Sequence, residues 1–404
     1  MSRRRTEAAA VPACAGLACA VLTYLGLACL GLACLGLIAG CGSQPARVTG
    51  TGPPPLTAPL STSLVTAQGT WAVAVMGGPD ADDKFWQLFF RPATSGRWSL
   101  VTPQGVADNG GLVAAAGGAY LVAGFRPNQN LTFSPLATST DTGRNWTPGL
   151  LDAGLADTPG AIAVGPSGRA LALLEDGTIE AAQVKGDGEA GGGSAAAGRW
   201  APLATLKALA ASAPGRACGL EGVTAVSFGP DEKPMAAGSC ARPGAAGVFT
   251  DADGTWRSAG LTLPGTGRVR VLGLTALPGG AAALLAVSLP GGNSVLAAWW
   301  DGTRWTVSAP VTAHGVRAAG FGPGGSAWLL PDGGRAETIA GTAGGAWRAL
   351  PPVPPGTGTL APGTGGSCNA LAVAGSRLTV WRLTRGAWAK VQQITVPVQY
   401  GSSG

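Results

Sequence analysis

Short apolar runs separated by glycine-rich turns fill most of this chain. Residues 268–312 read RVRVLGLTALPGG, AAALLAVSLPGG, NSVLAAWWDG and TRWTVSAPVT, a pattern that predicts four short β-strands. The same four-strand pattern fits residues 222–265 and 357–398, and it fits 63–105 and 111–154 with longer turns. The hydrophobic pattern therefore predicts an all-β protein in which each unit contributes one four-stranded sheet.

A tryptophan recurs about every 40 to 55 residues, each time two or three residues after a glycine. A second marker, a Gly/Pro turn such as 165–168 or 322–325, recurs between the first and second strands. A repeat of this length is typical of a β-propeller, so seven units predict a seven-bladed propeller over about 62–399. The tryptophans are Trp98, Trp146, Trp200, Trp256, Trp305, Trp347 and Trp388.

One repeat contains the string STDTGRNW at 139–146, which matches S-x-D-x-G-x-x-W in full. This string resembles the Asp box of the BNR (sialidase-like) repeat proteins, and partial copies lie at 251–256 and 301–305. The resemblance implies a turn between the third and fourth strands of a blade, with a structural role for Ser139, Asp141, Gly143 and Trp146. It implies a fold and leaves the function open, since the family contains both hydrolases and binding proteins.

The N-terminal region predicts export. Arg3, Arg4 and Arg5 precede an uncharged apolar stretch over 8–40 that ends in LIAG before Cys41. This resembles a bacterial lipoprotein signal peptide, which implies cleavage of 1–40 and lipid attachment to Cys41. The stretch is longer than the usual apolar segment of a signal peptide, so an uncleaved transmembrane anchor is the alternative. Either way, the repeats are expected outside the cytoplasm.

The segment that follows, 41–61, is rich in Pro, Gly and Thr and predicts a flexible tether. With lipid on Cys41, the tether would hold the propeller at the outer face of the bacterial cytoplasmic membrane. Hydrophobic residues make up 46% of the chain and charged residues only 12%, a balance that supports a packed core. The net charge of +6 includes no Lys/Arg cluster in the repeats, which argues against a nucleic-acid partner.

The cysteines of the repeat region predict one structural disulfide. Cys218 precedes a strand and Cys240 ends the returning strand, so an antiparallel pair brings both to one end. An exported protein permits a bridge between them. Cys368 is left over, and we expect it to be a buried free thiol.

The sequence contains few candidate catalytic residues. A sialidase-like site needs an arginine triad, a Tyr/Glu pair and an Asp acid, whereas Tyr120 and Tyr400 are the only tyrosines after Cys41. His314 is the only histidine, so a His-based metal cluster is excluded, and the sequence predicts no cofactor. Asp80, Asp82 and Asp83 have the composition of a weak calcium loop, but a solvated loop is the simpler interpretation.

The ligand face of a propeller is built from loops that lead into the innermost strands and loops that join strands two and three. The candidate binding residues on that face are Arg268, Arg270, Arg317, His314, Glu221 and Arg216. Arginines dominate this set, which favours an anionic or glycan ligand, although ordinary rim charges would look the same. Two functions stay open: a non-catalytic propeller that binds an envelope protein or glycan, and a divergent sialidase-like glycoside hydrolase or lyase.

Overall fold

The computed structural model describes residues 63–77, 84–103, 112–116, 119–123, 136–148, 159–184, 200–229, 231–263, 267–289, 292–332, 335–341, 345–363 and 367–396. The predicted signal peptide, Cys41, the tether and the Asp80–Asp83 loop lie outside these residues. The boundaries proposed for them, and the limits 62 and 399 of the propeller, remain predictions.

Within the described ranges, the chain folds into seven antiparallel sheets; six have four consecutive strands, and the fifth has four consecutive strands and one additional short strand. The all-β class predicted from the hydrophobic pattern is therefore confirmed. The first sheet contains β1 (Ser63–Val65), β2 (Gly69–Gly77), β3 (Lys84–Pro92) and β4 (Ser99–Leu100). The second contains β5 (Leu112–Ala116), β6 (Ala119–Ala123), β7 (Leu136–Ser139) and β8 (Thr147–Pro148). The third contains β9 (Ala161–Val164), β10 (Arg169–Leu173), β11 (Ile179–Gln183) and β12 (Ala201–Ala204).

The remaining four sheets repeat this order. The fourth contains β13 (Leu220–Phe228), β14 (Pro234–Cys240), β15 (Ala246–Ala252) and β16 (Thr255–Ser258). The fifth contains β17 (Arg268–Leu277), β18 (Gly280–Leu289), β19 (Gly292–Trp300) and β20 (Trp305–Val307), and β21 (Val311–Thr312) also pairs with β19. The sixth contains β22 (Val316–Phe321), β23 (Ala327–Pro331), β24 (Glu337–Ile339) and β25 (Arg348–Ala349). The seventh contains β26 (Thr357–Pro362), β27 (Cys368–Ala374), β28 (Arg377–Thr384) and β29 (Ala387–Thr395).

The second strand of a sheet is the most deeply buried, because neighbouring sheets cover both of its faces. In β18 the residues from Gly280 to Val287 are all buried, and five of its ten residues are alanine or glycine. The same small residues occur in β10 and β14, which are also almost wholly buried. Small side chains on the second strand let the sheets on both sides pack closely against it. The alanine-rich pattern of these strands is therefore explained by the packing.

The innermost strands connect one sheet to the next. Strand β5 contacts β9, β9 contacts β13, and β13 contacts β17, while β22 contacts β26. Strands β17 and β22 lie on either side of one apolar cluster that contains Leu272 and Ala319. The last sheet returns to the first, since β26 contacts both β1 and β2. This closed circuit of sheets is consistent with a β-propeller.

Specific bonds join the first and last sheets, at what we call the seam. The Trp98 backbone N–H donates to Gln392 Oε1 at 2.8 Å, and Gln392 Nε2 donates back to the Trp98 carbonyl at 2.8 Å. Ser63 Oγ donates to the Leu360 carbonyl at 2.6 Å, and Gly77 and Gly375 form a backbone bridge. Each sheet keeps its own four strands, and the seam is closed by these cross-sheet contacts.

The recurring tryptophans bind sheets together in sequence. Each stands at the start of the fourth strand or just before it, and several donate their indole N–H to a residue one or two positions after the fourth strand of the preceding sheet. The acceptors among the described residues are the Val101 carbonyl for Trp146, Ala259 for Trp305, Ser308 Oγ for Trp347 and the Pro351 carbonyl for Trp388. The tryptophan period therefore marks an inter-sheet contact.

Two short helices that the hydrophobic pattern did not predict connect the third and fourth sheets. Helix α1 spans Leu206–Ala211 and α2 spans Ala213–Cys218, with Thr205 and Ser212 as their N-caps. Cys218 at the end of α2 forms a disulfide with Cys240 at the end of β14. Within the described residues, no helix has both the length and the apolar composition needed to cross a membrane.

Candidate functional site

The candidate binding face begins where β13 and β17 start. Glu221 is the second residue of β13 and Arg268 is the first of β17, so both side chains stand at the same end of adjacent innermost strands. Arg268 Nη2 lies 2.8 Å from Glu221 Oε1 and 3.0 Å from Oε2. The two side chains are 68% and 42% exposed, so this ion pair stands on the surface and is accessible to a ligand.

Arg270 is placed differently from Arg268, although both lie on the same face of β17. It is half-buried, between Val269 and Val271, which are buried on the opposite face. Burial lowers the pKa of the Arg270 guanidinium from its usual value. Even so, a guanidinium keeps its charge at neutral pH. Arg270 is therefore less accessible to a ligand than Arg268.

The remaining candidates surround the start of β22 and the helices. His314 and Arg317 are exposed on either side of Gly315 and Val316. A Cβ at Gly315 would meet Asp332 Oδ2, so a side chain there would require the Asp332 carboxylate to move. Arg216 is exposed on α2 instead of in a loop, and its Nη1 donates to the Ala211 carbonyl of α1. The structure brings Glu221 and Arg268 together, and Arg216 bonds to its own helical hairpin.

A small cavity lies further along the same innermost strands. Its volume is about 110 Å³, and its walls come from β9, β13, β17 and β22, with Leu284 of β18. The wall residues are apolar or glycine apart from Thr224, whose hydroxyl donates to the Val271 carbonyl at 2.6 Å. The described part of this face therefore combines a polar rim with an apolar interior.

A second cavity lies at the seam, with a volume of about 270 Å³. It is lined by the end of β2, from Val73 to Gly77, by Gly356, Gly358 and Thr359 around the start of β26, and by Leu371, Val373 and Gly375 in and just after β27. The end of a second strand and the start of a first strand belong to the same face as Glu221 and Arg268. No local pattern in the sequence indicates this cavity, because its walls come from opposite ends of the repeat region.

The Asp-box string forms a tight turn between β7 and β8, at the opposite end of the strands. Asp141 Oδ1 accepts bonds from the Arg144 and Asn145 amides at 3.0 and 2.9 Å and from Ser139 Oγ at 2.9 Å. The partial copies keep this geometry: Asp251 accepts from the Gly254 amide, and Asp301 accepts from the Thr303 and Arg304 amides.

Gly143 and Trp146 complete the Asp-box turn. Gly143 has a φ of 81°, which favours glycine, and its amide donates to Ser139 Oγ at 3.0 Å. A Cβ at Gly143 would lie 3.3 Å from the Trp146 ring, so the turn and the indole pack together. Gly143 and Trp146 therefore have structural roles: they stabilise the turn and the packing between neighbouring sheets.

Comparisons with known proteins identify the fold alone. No protein-family model matches the chain, and no curated protein matches it by sequence. Among solved structures, the chain is similar to the GH74 xyloglucanase from Xanthomonas campestris, with 16% identity and a TM-score of 0.52 over 82% of this chain and 53% of that one. It therefore spans about half the length of the xyloglucanase.

Two further solved structures are similar. A protein from Lactobacillus plantarum matches with 12% identity and a TM-score of 0.50, over 80% of this chain and 96% of that one. A structure of YCF48 bound to D1 peptide matches with 15% identity over 74% of this chain and 82% of that one, but its TM-score of 0.39 supports no inference. The fold is thus β-propeller-like.

Proposed function

We propose that this protein is a lipid-anchored, extracytoplasmic seven-bladed β-propeller of the Asp-box type that binds an envelope protein or glycan without transforming it. Seven consecutive four-stranded sheets in the described residues and the bonded seam support the blade number. The hydrogen-bonded turn at Asp141 supports the Asp-box assignment. Anchoring at Cys41, after cleavage of 1–40, rests on the signal-peptide resemblance.

The observation that carries the binding proposal is the exposed Glu221–Arg268 pair at the start of β13 and β17, together with the apolar cavity further along the same strands. A polar rim around an apolar centre is the usual anatomy of a recognition surface. Both charged groups remain open to solvent, so a polar ligand can exchange bonds with them. Arg317 and His314 extend the exposed rim to the start of β22.

Binding is tested by pelleting the full chain, purified in detergent, with isolated cell-wall glycan, and by titrating it with purified envelope proteins. We expect Arg268→Gln and Arg317→Gln to weaken binding several-fold, and added salt to weaken it further. Arg348→Gln is the matched control, because Arg348 is exposed on the outer strand β25. Equal losses in all three variants would refute the placement of the site. Glycoside turnover by the wild type would instead support the hydrolase alternative.

Anchoring is tested separately by mass spectrometry of the membrane fraction. The proposal expects a mature N-terminus at Cys41 that carries acyl chains, and a Cys41→Ser variant that is neither cleaved nor acylated. An intact N-terminus with unmodified Cys41 would instead indicate the uncleaved transmembrane anchor. That result would leave the binding proposal untouched.

A further inference from the structure

Two arginines face each other across the seam, at the end of the strands opposite to the proposed ligand face. Arg91 lies near the end of β3, paired in register with Thr70 of β2. Arg382 lies near the end of β28, paired in register with Asn369 of β27. The same arrangement, an arginine on the third strand beside a polar residue on the second, thus occurs on both sides of the seam.

Each arginine reaches toward the sheet of the other. A Cβ at Gly96, in the first sheet, would lie 3.8 Å from Arg382 Nη2. A Cβ at Gly363, in the seventh sheet, would lie 3.6 Å from Arg91 Nη2. The Arg91 guanidinium also lies 5.7 Å from the centre of the Trp98 ring. Both guanidinium groups therefore extend into the space between the first and seventh sheets.

Buried hydrogen-bond donors in this space lack acceptors. Arg91 Nη2 donates to Thr70 Oγ1 at 3.1 Å, but Arg91 Nε is buried without a partner among the described residues. Asn369 is 1% exposed; its Oδ1 accepts from Arg382 Nε at 3.5 Å, while its Nδ2 has no acceptor in the described part of the chain. Unsatisfied buried donors are costly, so they indicate a missing acceptor.

The charges of Arg91 and Arg382 also indicate a missing anion. The ion pairs that the described residues form are Glu221–Arg268 and Asp301–Arg304, so neither Arg91 nor Arg382 is neutralised by a described carboxylate. Burial, and then the positive charge of Arg382, lower the pKa of the Arg91 guanidinium. Two like charges held together in a half-buried place repel each other unless an anion lies between them.

We propose that Arg91, Arg382 and Asn369 form a binding site for a doubly charged tetrahedral oxyanion of the phosphate class. Two guanidinium groups match two negative charges, whereas a carboxylate would leave one positive charge uncompensated. Donors arrive from both sheets, which suits an acceptor with oxygens in several directions. Because both sheets would hold the anion, occupancy would also strengthen the seam.

The test is a thermal-shift titration of the full chain in detergent, at constant ionic strength, with inorganic phosphate, sulfate, acetate or chloride. A ligand that binds the folded state raises the melting temperature saturably. We expect saturable shifts with phosphate and sulfate, and at least tenfold weaker apparent affinity for acetate. Glycerol phosphate is titrated in parallel. If it also raises the melting temperature, the site accepts phosphate carried on a larger molecule. If only inorganic phosphate raises the melting temperature, the site binds the free ion.

Variants locate the site. We expect Arg382→Gln to weaken phosphate affinity at least tenfold. Arg377→Gln should change it less than twofold, because Arg377 is exposed at the opposite end of the same strand. Asn369→Asp supplies a fixed carboxylate beside Arg382, so it should abolish the phosphate response and raise the melting temperature without phosphate. The proposal is overturned if phosphate gives the wild type no saturable shift, or if Arg382→Gln binds phosphate as tightly as the wild type.

Discussion

Replacing Asp141 with alanine should destabilise the protein and leave ligand binding unchanged. The carboxylate accepts bonds from the Arg144 and Asn145 amides, from Asn145 Nδ2 at 2.6 Å and from Ser139 Oγ. Ser139 is buried, so its hydroxyl would lose an acceptor that water replaces poorly. The other donors are exposed and would recover water. The turn lies at the opposite end of the strands from Glu221, so binding should not change.

The expected loss in the free energy of unfolding is about 2 kcal/mol. One buried donor left unsatisfied costs about 1–3 kcal/mol, and the exposed bonds add little after solvent screening. Thr142, with a φ of 64°, sits in a strained backbone region, so relaxation of that strain in the variant would offset part of the loss. Asp141→Asn keeps one carbonyl acceptor and should lose roughly half as much.

The effect of Asp141→Ala should depend on pH. Burial acts to raise the pKa of the Asp141 carboxyl, but hydrogen bonds from Asn145, Ser139 and Arg144 outweigh it, so the net pKa lies below its usual value. A lowered folded-state pKa gives stability that is present above the unfolded pKa of about 3.9 and is lost as pH falls through the folded pKa. The difference between wild type and variant should therefore be full at pH 7 and shrink below about pH 4.

Urea denaturation at pH 7 and pH 3 measures both effects. Asp231→Ala is the control, because Asp231 is exposed in a turn and its substitution should stay within about 0.5 kcal/mol. If Asp141→Ala is as stable as Asp231→Ala at pH 7, the structural role of the turn is wrong. Weaker ligand binding with an unchanged unfolding curve would instead place Asp141 in the recognition surface.

Three further outcomes are expected. Gln392→Ala removes both bonds to Trp98 at the seam and should lower the free energy of unfolding by about 1–2 kcal/mol in urea denaturation, whereas a neutral effect would contradict this role for Gln392. Burial raises the pKa of the Cys368 thiol to about 12, so a thiol reagent at pH 8 should label Cys368 only after unfolding; rapid labelling of the folded protein would contradict its burial. Replacing Cys218 and Cys240 with alanine opens a link across 22 residues and should cost about 3 kcal/mol, measured against the oxidised wild type.

Local patterns predicted the sheets because each sheet is a continuous piece of chain. Alternation in β17, where Arg268 and Arg270 point one way and Val269 and Val271 the other, is visible within a few residues. Helices α1 and α2 were missed because six residues are too few to show a helical period. Their caps, Thr205 and Ser212, and the left-handed Gly219 were the available signals.

The candidate sites were predictable only in part, because their contacts join distant segments. The sequence placed Glu221 and Arg268 on one face, but nothing local shows that the two side chains pair across 47 residues. The apposition of Arg91 and Arg382 depends on closing the first sheet against the last. Buried donors without acceptors, such as Asn369 Nδ2, become visible only once three-dimensional neighbours are known.

The contacts that the recurring tryptophans make between sheets favour assembly of the sheets in chain order. In each of the four indole bonds made by the recurring tryptophans, the donor comes later in the chain than its acceptor: Trp146 bonds back to Val101, and Trp305 to Ala259. As the chain is made or exported, every such tryptophan emerges when its acceptor is already present, so each new sheet can fasten onto the last one at once. The seam must wait far longer, since Ser63 and Trp98 bond to partners that are 297 and 294 residues later in the chain. Until then the growing stack has an open edge, and the last sheet to appear closes it.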